Sequence, residues 1–310
     1  GDIYVAGGVE SMSTVPYLAP GIMRFSKKFA QWFGLDKRYP QAGILSLAPA
    51  KTGPRLVIGF LDDGHVPLAR YGDMKSTNMI ATAECVSSTY HVSREEADAW
   101  SLRSHQKACA GVQSGRFDRE IDPIQVGEKG YFSRDEHPRA DTTIEKLGSL
   151  KAVGKSGLVS AGNSSGINDG ACAMVLTSEK KGKELGLKPL AVLVDHCVVG
   201  LEPEQMGIGP VLAIKKLLKD NNLTVNDIDL FEINEAFAGQ YLACQKLLGL
   251  DPEKCNVNGG AIALGHPIGM SGARLVFTLA HELKERKLKR GIAALCIGGG
   301  QGIATLVEAP

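Results

Sequence analysis

The stretch LCIGGGQGIATLV (residues 295–307) admits two readings that lead to different proteins. Glycines in such number either cradle a phosphate or let backbone crowd around a reacting side chain, here the thiol of Cys296. A nucleotide loop needs a helix after its glycines, because the free N–H groups and the dipole at a helix N-terminus hold the phosphates. Here a strand comes next instead. Residues 303–307 are a β-branched and apolar run, and residues 292–296 are another, so the glycines join two strands. The cradle reading fails. This leaves a cysteine at a strand end that other backbone can approach closely, because glycines put no side chains in the way. The plain alternative is a buried structural cysteine before a tight turn. Its neighbours must decide.

The chain has 310 residues, enough for two domains or for one with a large insertion, and enough to bury a proper core. A formal net charge of +1 excludes a general nucleic-acid binder, which carries a basic excess. Thirty-seven glycines and few aromatics suit an α/β enzyme with many tight turns. The seven cysteines are scattered and form no C-x-x-C pair. They suggest neither a zinc site nor a disulfide framework, so no metal is expected and a reducing compartment is. No apolar run is long enough for a transmembrane segment and no signal peptide is visible, so the sequence reads as soluble. It opens with GDIYVAGG, a strand pattern without an initiator methionine, as though cut into.

After an opening strand at about 3–6, the region 11–160 mixes basic clusters, proline turns and two helices, about 77–90 and 94–111. Ser93 and Glu96 have the spacing of a reciprocal N-terminal cap for the second helix. Beyond Gly170 come strands at 173–177, 190–199 and 228–233, helices at 210–218 and 236–248, a short strand at 256–258, a helix at 271–285, and the closing strand pair. This alternation implies a mainly parallel sheet with helices on both faces. DIYVAGG followed eventually by ACAMVLTSE resembles IAALCIGGG followed at once by GIATLVEA. The chain therefore reads as a duplicated βαβαβ-type unit whose first copy is interrupted by an insertion and lacks roughly a hundred residues before Gly1.

Three stretches of the second half carry chemistry. In FEINEAF, Asn234 stands between a strand and a helix, where asparagine is an ordinary N-cap. In NGGAIALGHPIG, His266 sits between glycine and proline ahead of another helix, where a histidine is commonly just exposed. Cys296 is the third. All three fall at strand ends or helix starts, where open α/β sheets gather ligands. A histidine, a cysteine and an amide donor without a metal cluster fit acyl-transfer or carbanion chemistry at a thioester.

With these residues in view, the chain resembles a thiolase, an acetyl-CoA acyltransferase, over essentially its whole length. GGVESMS (7–13), SAGNSSGINDGA (160–171), NEAF (234–237), NGGAIALGHPIG (258–269) and CIGGGQG (296–302) are similar to family motifs in the family's order and spacing. The resemblance implies an α/β fold of duplicated βαβαβαββ layers (α-β-α-β-α), the first copy truncated and interrupted by a loop domain. It places residues 1–14 and 160–186 in the N-terminal core half, 15–159 in the CoA-binding loop domain and 187–310 in the C-terminal core half. It implies CoA-dependent thiolysis of a 3-oxoacyl-CoA to acetyl-CoA and a shortened acyl-CoA, or the reverse Claisen condensation. Coenzyme A is then a substrate, and no cofactor is tightly bound.

By the same resemblance, His266 activates the acyl-accepting cysteine and polarises the thioester carbonyl, while Cys296 moves the proton on the acetyl α-carbon. Asn234 orients a water and, with His266, stabilises the enolate oxygen. Gly298 lends a backbone N–H to a second oxyanion hole. Ser165 and Ala161 match positions beside the pantetheine arm, and Met79, Met206 and Phe237 match apolar residues around the tunnel, where ordinary core packing is an equal reading. A thiol of ordinary pKa about 8.5 can be lowered enough by a nearby histidine or dipoles to act as a base near neutrality. On this reading the glycines serve the sulfur.

The family's first catalytic cysteine belongs to a segment expected before Gly1. None of Cys85, Cys109, Cys172, Cys197, Cys244 or Cys255 stands in its motif, and their apolar settings suggest buried, inert roles. The 310 residues alone are therefore expected not to form the acyl-enzyme. Asn78, where biosynthetic members carry histidine, and the long segment 18–62 lean towards the degradative branch of fatty-acid β-oxidation. The alternatives are a naturally shortened, non-catalytic CoA-binding or assembly protein and, more weakly, a nicotinamide oxidoreductase, for which no strand–GxGxxG–helix unit is present. The resemblance implies a homodimer or homotetramer, with a β-oxidation subunit as a possible partner, in a bacterial cytoplasm or an organelle matrix.

Overall fold

A computed structural model describes residues 2–12 and 79–310. Asn78, the segment 18–62 and the basic cluster of the opening region lie outside the described residues. In chain order the elements are β1 (Ile3–Ser11), α1 (Met79–Thr89), α2 (Arg94–Gln113), β2 (Ile124–Gln125), β3 (Tyr131–Phe132), α3 (Ile144–Ser149), β4 (Asp169–Thr177) and α4 (Glu179–Glu184). Then come β5 (Val192–Gly200), α5 (Gly209–Asp220), β6 (Leu230–Ile233), α6 (Ala238–Leu248), α7 (Ala261–Leu264), α8 (Ile268–Arg286), β7 (Arg290–Ile297) and β8 (Gln301–Glu308). The cap expected on α2 is present, with Ser93 and Glu96 satisfying each other's backbone N–H groups.

β1 pairs with β4 in an antiparallel two-stranded sheet, Ile3 opposite Thr177 and Ser11 opposite Asp169. β7 and β8 make the corresponding antiparallel pair in the second half, Cys296 opposite Gly302. The two related sequence segments thus form two related strand pairs. The second pair belongs to a four-stranded sheet ordered β5-β8-β7-β6.

That sheet corrects the expectation of mainly parallel strands: only β6 and β7 run parallel, while β5–β8 and β7–β8 are antiparallel. The cause is local. β7 and β8 are joined by three residues, and a link so short can only reverse the chain, since a parallel crossover needs a dozen residues or more. Gly299 and Gly300 in that turn have φ of 84° and 89°, a region other residues enter at a cost. A side chain on Gly300 would also put its Cβ 2.2 Å from the Leu201 carbonyl oxygen.

The expected strand at 256–258 is also absent, leaving only isolated bridges around Cys255 and Val257. Asn256 has φ of 44°, and its side chain stands in for a strand, accepting from Ile233 N at 2.9 Å and donating to Ile233 O at 2.8 Å.

Helices do cover both faces of the four-stranded sheet. Ile214 and Leu217 of α5 and Tyr241 and Cys244 of α6 pack on Phe231, Ile233, Ile292 and Ala294. Leu275, Leu279 and Leu283 of α8 pack on Leu230, Ala293 and Val307 from the other side. Each fully buried side chain of this size contributes about 1.5–3 kcal/mol of transfer free energy. α8 also contacts β1 and β4, so it lies between the two sheets and gives the layer order α5/α6, sheet, α8, sheet. Trp100 of α2 stacks on Tyr241 with ring centroids 4.1 Å apart, which fastens α2 to the outer helical layer. Among the described residues, no helix is long and apolar enough to cross a membrane.

Candidate active site

Asn234 follows the last residue of β6 and continues its pairing, its N–H donating to Ala294 O of β7 at 2.9 Å. The N-cap of α6 is Phe237, which makes no side-chain cap bond. Asn234 therefore is not the cap, and its side chain is available for another partner. That partner is His266: Asn234 Nδ2 lies 3.2 Å from His266 Nε2.

The imidazole is held at both nitrogens. Nδ1 is 2.6 Å from Ser271 Oγ, and the Ser271 hydroxyl donates to Pro267 O at 2.9 Å. With its one hydrogen committed there, Ser271 accepts from Nδ1–H. Nε2 then carries the lone pair and accepts from the Asn234 amide. Burial, with the Arg274 guanidinium adding to it, lowers the His266 pKa from 6.5 to about 4, so the ring is neutral at neutral pH. The His266 backbone N–H donates to Asn168 Oδ1 at 3.3 Å.

Cys296 lies on β7 two residues beyond Ala294, a step of about 7 Å along a strand. It is partly exposed. Ile292 and Ala294 pack with α5 and α6 and Ala293 and Leu295 with α8, so by alternation Cys296 falls on the α5/α6 side. Consistently, the Cys244 thiol of α6 is pushed well up by burial, and charge at Cys296 adds to the effect. Ile233 pairs with Ala294, so Asn234 lies level with Leu295, and Cys296, still within β7, follows one residue later towards the same ends of these two parallel strands. Gly298 begins the turn directly after β7, and its carbonyl accepts from Gln301 Nε2 at 3.3 Å.

Ser165 N donates to Ala236 O at 3.0 Å, and Ser164 bridges Phe237, which joins the loop after Ala161 to the NEAF segment. Ala161 is exposed and opens a 3-10 turn. Met206 is 5 % exposed within a 3-10 stretch, Pro203–Ile208, that packs on α1, the helix Met79 begins. Of the other cysteines, Cys197, Cys244 and Cys255 are buried, whereas Cys85, Cys109 and Cys172 are partly exposed, against the expectation that all six are buried. Burial still raises the Cys109 and Cys172 thiols and takes Cys255 up to about 12.

Sequence reasoning missed Ser271 and Asn168 as partners of His266. Ser271 was discoverable, since it follows Pro267 by four residues and His266 by five, which brings it back under the imidazole after one helical turn. Nothing local marks Asn168 as the partner of a backbone amide 98 residues away.

With this geometry in place, two family models match: the thiolase N-terminal domain over residues 1–180 and the thiolase C-terminal domain over residues 187–309. Acetyl-CoA acetyltransferase of Escherichia coli is 46 % identical over 311 residues, covering 98 % of this chain and 71 % of that protein. The crystal structure of Bacillus anthracis acetyl-CoA acetyltransferase superposes with a TM-score of 0.83 at 45 % identity, covering 100 % of this chain and 72 % of that one. Human mitochondrial 3-ketoacyl-CoA thiolase, crystallised in complex with CoA, gives 0.81 at 40 % identity, covering 100 % and 71 %. An α/β acyltransferase fold carries the site, and the chain belongs to the thiolase family.

Proposed function

We propose that this chain carries out the thiolase reaction: CoA-dependent cleavage of a 3-oxoacyl-CoA to acetyl-CoA and a shortened acyl-CoA, or its reversal. The observation that carries this reading is the neutral His266, whose Nε2 lone pair is met by the Asn234 amide at 3.2 Å beside the strand that bears Cys296. Such an imidazole is a base first and a donor afterwards. It takes the proton of an attacking thiol at Nε2, and Nε2–H then faces the thioester oxygen together with the Asn234 amide. Because burial disfavours the imidazolium, the proton is readily passed on. Cys296 as thiolate removes the acetyl α-proton, and the electron pair moves into the enolate oxygen that these donors face. Gly298 N–H serves the tetrahedral oxyanion of acyl transfer.

On this reading residues 1–14 and 160–186 belong to one core half, 187–310 to the other, and 15–159 to the CoA-binding region, with Ala161 and Ser165 beside the pantetheine arm and Met79, Met206 and Phe237 around the tunnel. Coenzyme A is substrate, as the CoA complex of the human relative supports. We favour the degradative direction, a homodimer or homotetramer, and a reducing compartment. Thiolysis of C4 to C16 3-oxoacyl-CoA by the complete protein, wild type and Cys296→Ala, tests the proposal. Turnover abolished by the substitution supports it; a variant working at the wild-type rate defeats it, and activity confined to acetoacetyl-CoA defeats the degradative assignment. A protein that binds CoA and never turns over favours the non-catalytic reading.

A further inference from the structure

Glu235 is fully buried and its carboxylate meets four donors. Oε1 accepts from Trp100 Nε1 at 2.9 Å and Asn256 Nδ2 at 2.8 Å. Oε2 accepts from Ser104 Oγ at 2.7 Å and Ile262 N at 3.3 Å. Ser104 Oγ in turn accepts from Gly260 N at 3.0 Å. The carboxylate is seated so closely that a Cβ on Gly260 would lie 2.3–2.5 Å from its atoms. None of this network touches the reacting groups, and the proposed chemistry leaves it unused.

Its connections are what matter. Glu235 is covalently next to Asn234, and Ile262 stands four residues before His266 in the turn that delivers the imidazole. Asn256, bonded to Glu235, also holds both backbone groups of Ile233, the residue before Asn234. One carboxylate therefore joins the peptide that carries Asn234 to the turn that carries His266 and anchors both to α2. We propose that Glu235 is a positioning residue that sets the 3.2 Å approach of Asn234 to His266.

Chemistry explains why a carboxylate is required. Both of its oxygens are acceptors, matching four donors, whereas an amide offers one oxygen and one NH2 group. In Glu235→Gln the NH2 group must face either the Trp100 and Asn256 donors or Ser104 and Ile262. Ser104 can turn its hydroxyl to accept, but the Ile262 N–H cannot turn. The amide therefore settles with its NH2 group towards Ser104 and Ile262, and the Ile262 bond is lost. A buried donor left unpaired is expensive, so the turn before His266 shifts.

The rate part of the test rests on the proposed function; the spectroscopic part does not. Glu235→Gln is made in the complete protein, and the ring 15N resonances of His266 are recorded beside thiolysis kinetics. We expect retained circular dichroism and a displaced Nε2 resonance, as the Asn234 contact lengthens. We expect kcat to fall about 10–100-fold with KM for acyl-CoA held within about two-fold, the size of effect an ångström of misplacement produces. In an Asn234→Ala background the same substitution should cost little more, because the contact it sets is gone. Unchanged ring resonances, or a loss that multiplies in full on top of Asn234→Ala, overturns the proposal. If Glu235→Gln does not fold, Ser104→Ala carries the test with a smaller effect in the same direction. A wild-type protein without turnover defeats the functional reading, while the ring resonances still decide the role of Glu235.

Discussion

The Nδ2 of Asn234 lies 3.2 Å from the Nε2 of His266, although the two residues are 32 positions apart and belong to different elements. The amide is 1 % exposed and donates to a lone pair whose position is dictated by Ser271 on the far side of the ring. If this amide also steadies the developing enolate oxygen, Asn234→Ala should lower kcat by about a hundred-fold, the loss typical of one oxyanion-hole donor. Asn234→Asp should fare no better, since an acceptor then faces an acceptor. Steady-state thiolysis by the complete protein checks both.

Ser271→Ala removes the acceptor that fixes Nδ1–H. Ser271 is fully buried, so the imidazole loses a bond with no water to replace it, at a cost of about 1–3 kcal/mol in stability. Freed from Ser271, the ring has only the Asn234 amide to hold its Nδ1–H form, so the Nε2–H tautomer, useless as a base towards a thiol at Nε2, should gain population. Two-dimensional 15N spectra of the ring report the tautomer directly, and a tautomer ratio unchanged in the variant contradicts the role given to Ser271.

His266 also makes a pH prediction whose sign is set by its depressed pKa. Between 6.5 and about 4 the unfolded chain binds a proton here that the folded chain refuses. Stability contributed by this residue is therefore complete above 6.5 and is lost as pH falls towards 4, on the order of 3 kcal/mol in all. His105, lowered from 6.5 to about 4 chiefly by burial, acts in the same direction and window. Urea unfolding from pH 7 to pH 4 should therefore show a shallower loss for His266→Gln than for the wild type.

Glu232 has the opposite sign. It is 2 % exposed, and burial pushes its carboxyl from 4.5 up to about 8 against the pull of Arg274. Between those values the folded chain keeps a proton that the unfolded chain has released, so stability falls as pH rises through the window. Glu232→Gln imitates the protonated form. It should be close to neutral at pH 5 and increasingly stabilising relative to wild type up to pH 8. A stability difference that does not change with pH contradicts the raised pKa.

Much of the site was legible before folding because its parts are local. The strand–glycine–strand pattern at 292–307 identifies a hairpin and removes the nucleotide reading, and the hairpin is what the structure has. The Ser93–Glu96 cap needs four consecutive residues and no tertiary information. The motifs around Asn234, His266 and Cys296 each consist of a chemical side chain among small residues, which is visible in one dimension. The direction of the sheet was not legible in the same way. Alternating strands and helices suggested parallel pairing, yet β5 docks on β8 more than a hundred residues later, and no local pattern names the partner. Asn256 reads as part of a strand, but acts as a side-chain substitute for one.

By itself the sequence determined where most of the elements lie and that the closing glycines form a turn, because periodicity and turn geometry are properties of neighbouring residues. The tertiary structure alone decided that Asn234 serves His266 rather than capping a helix, that Ser271 sets the tautomer, and that Glu235 links α2 to the turn before the imidazole. Those contacts join residues as far as 135 positions apart. They arise only when packing removes water and forces each buried polar group to find a partner.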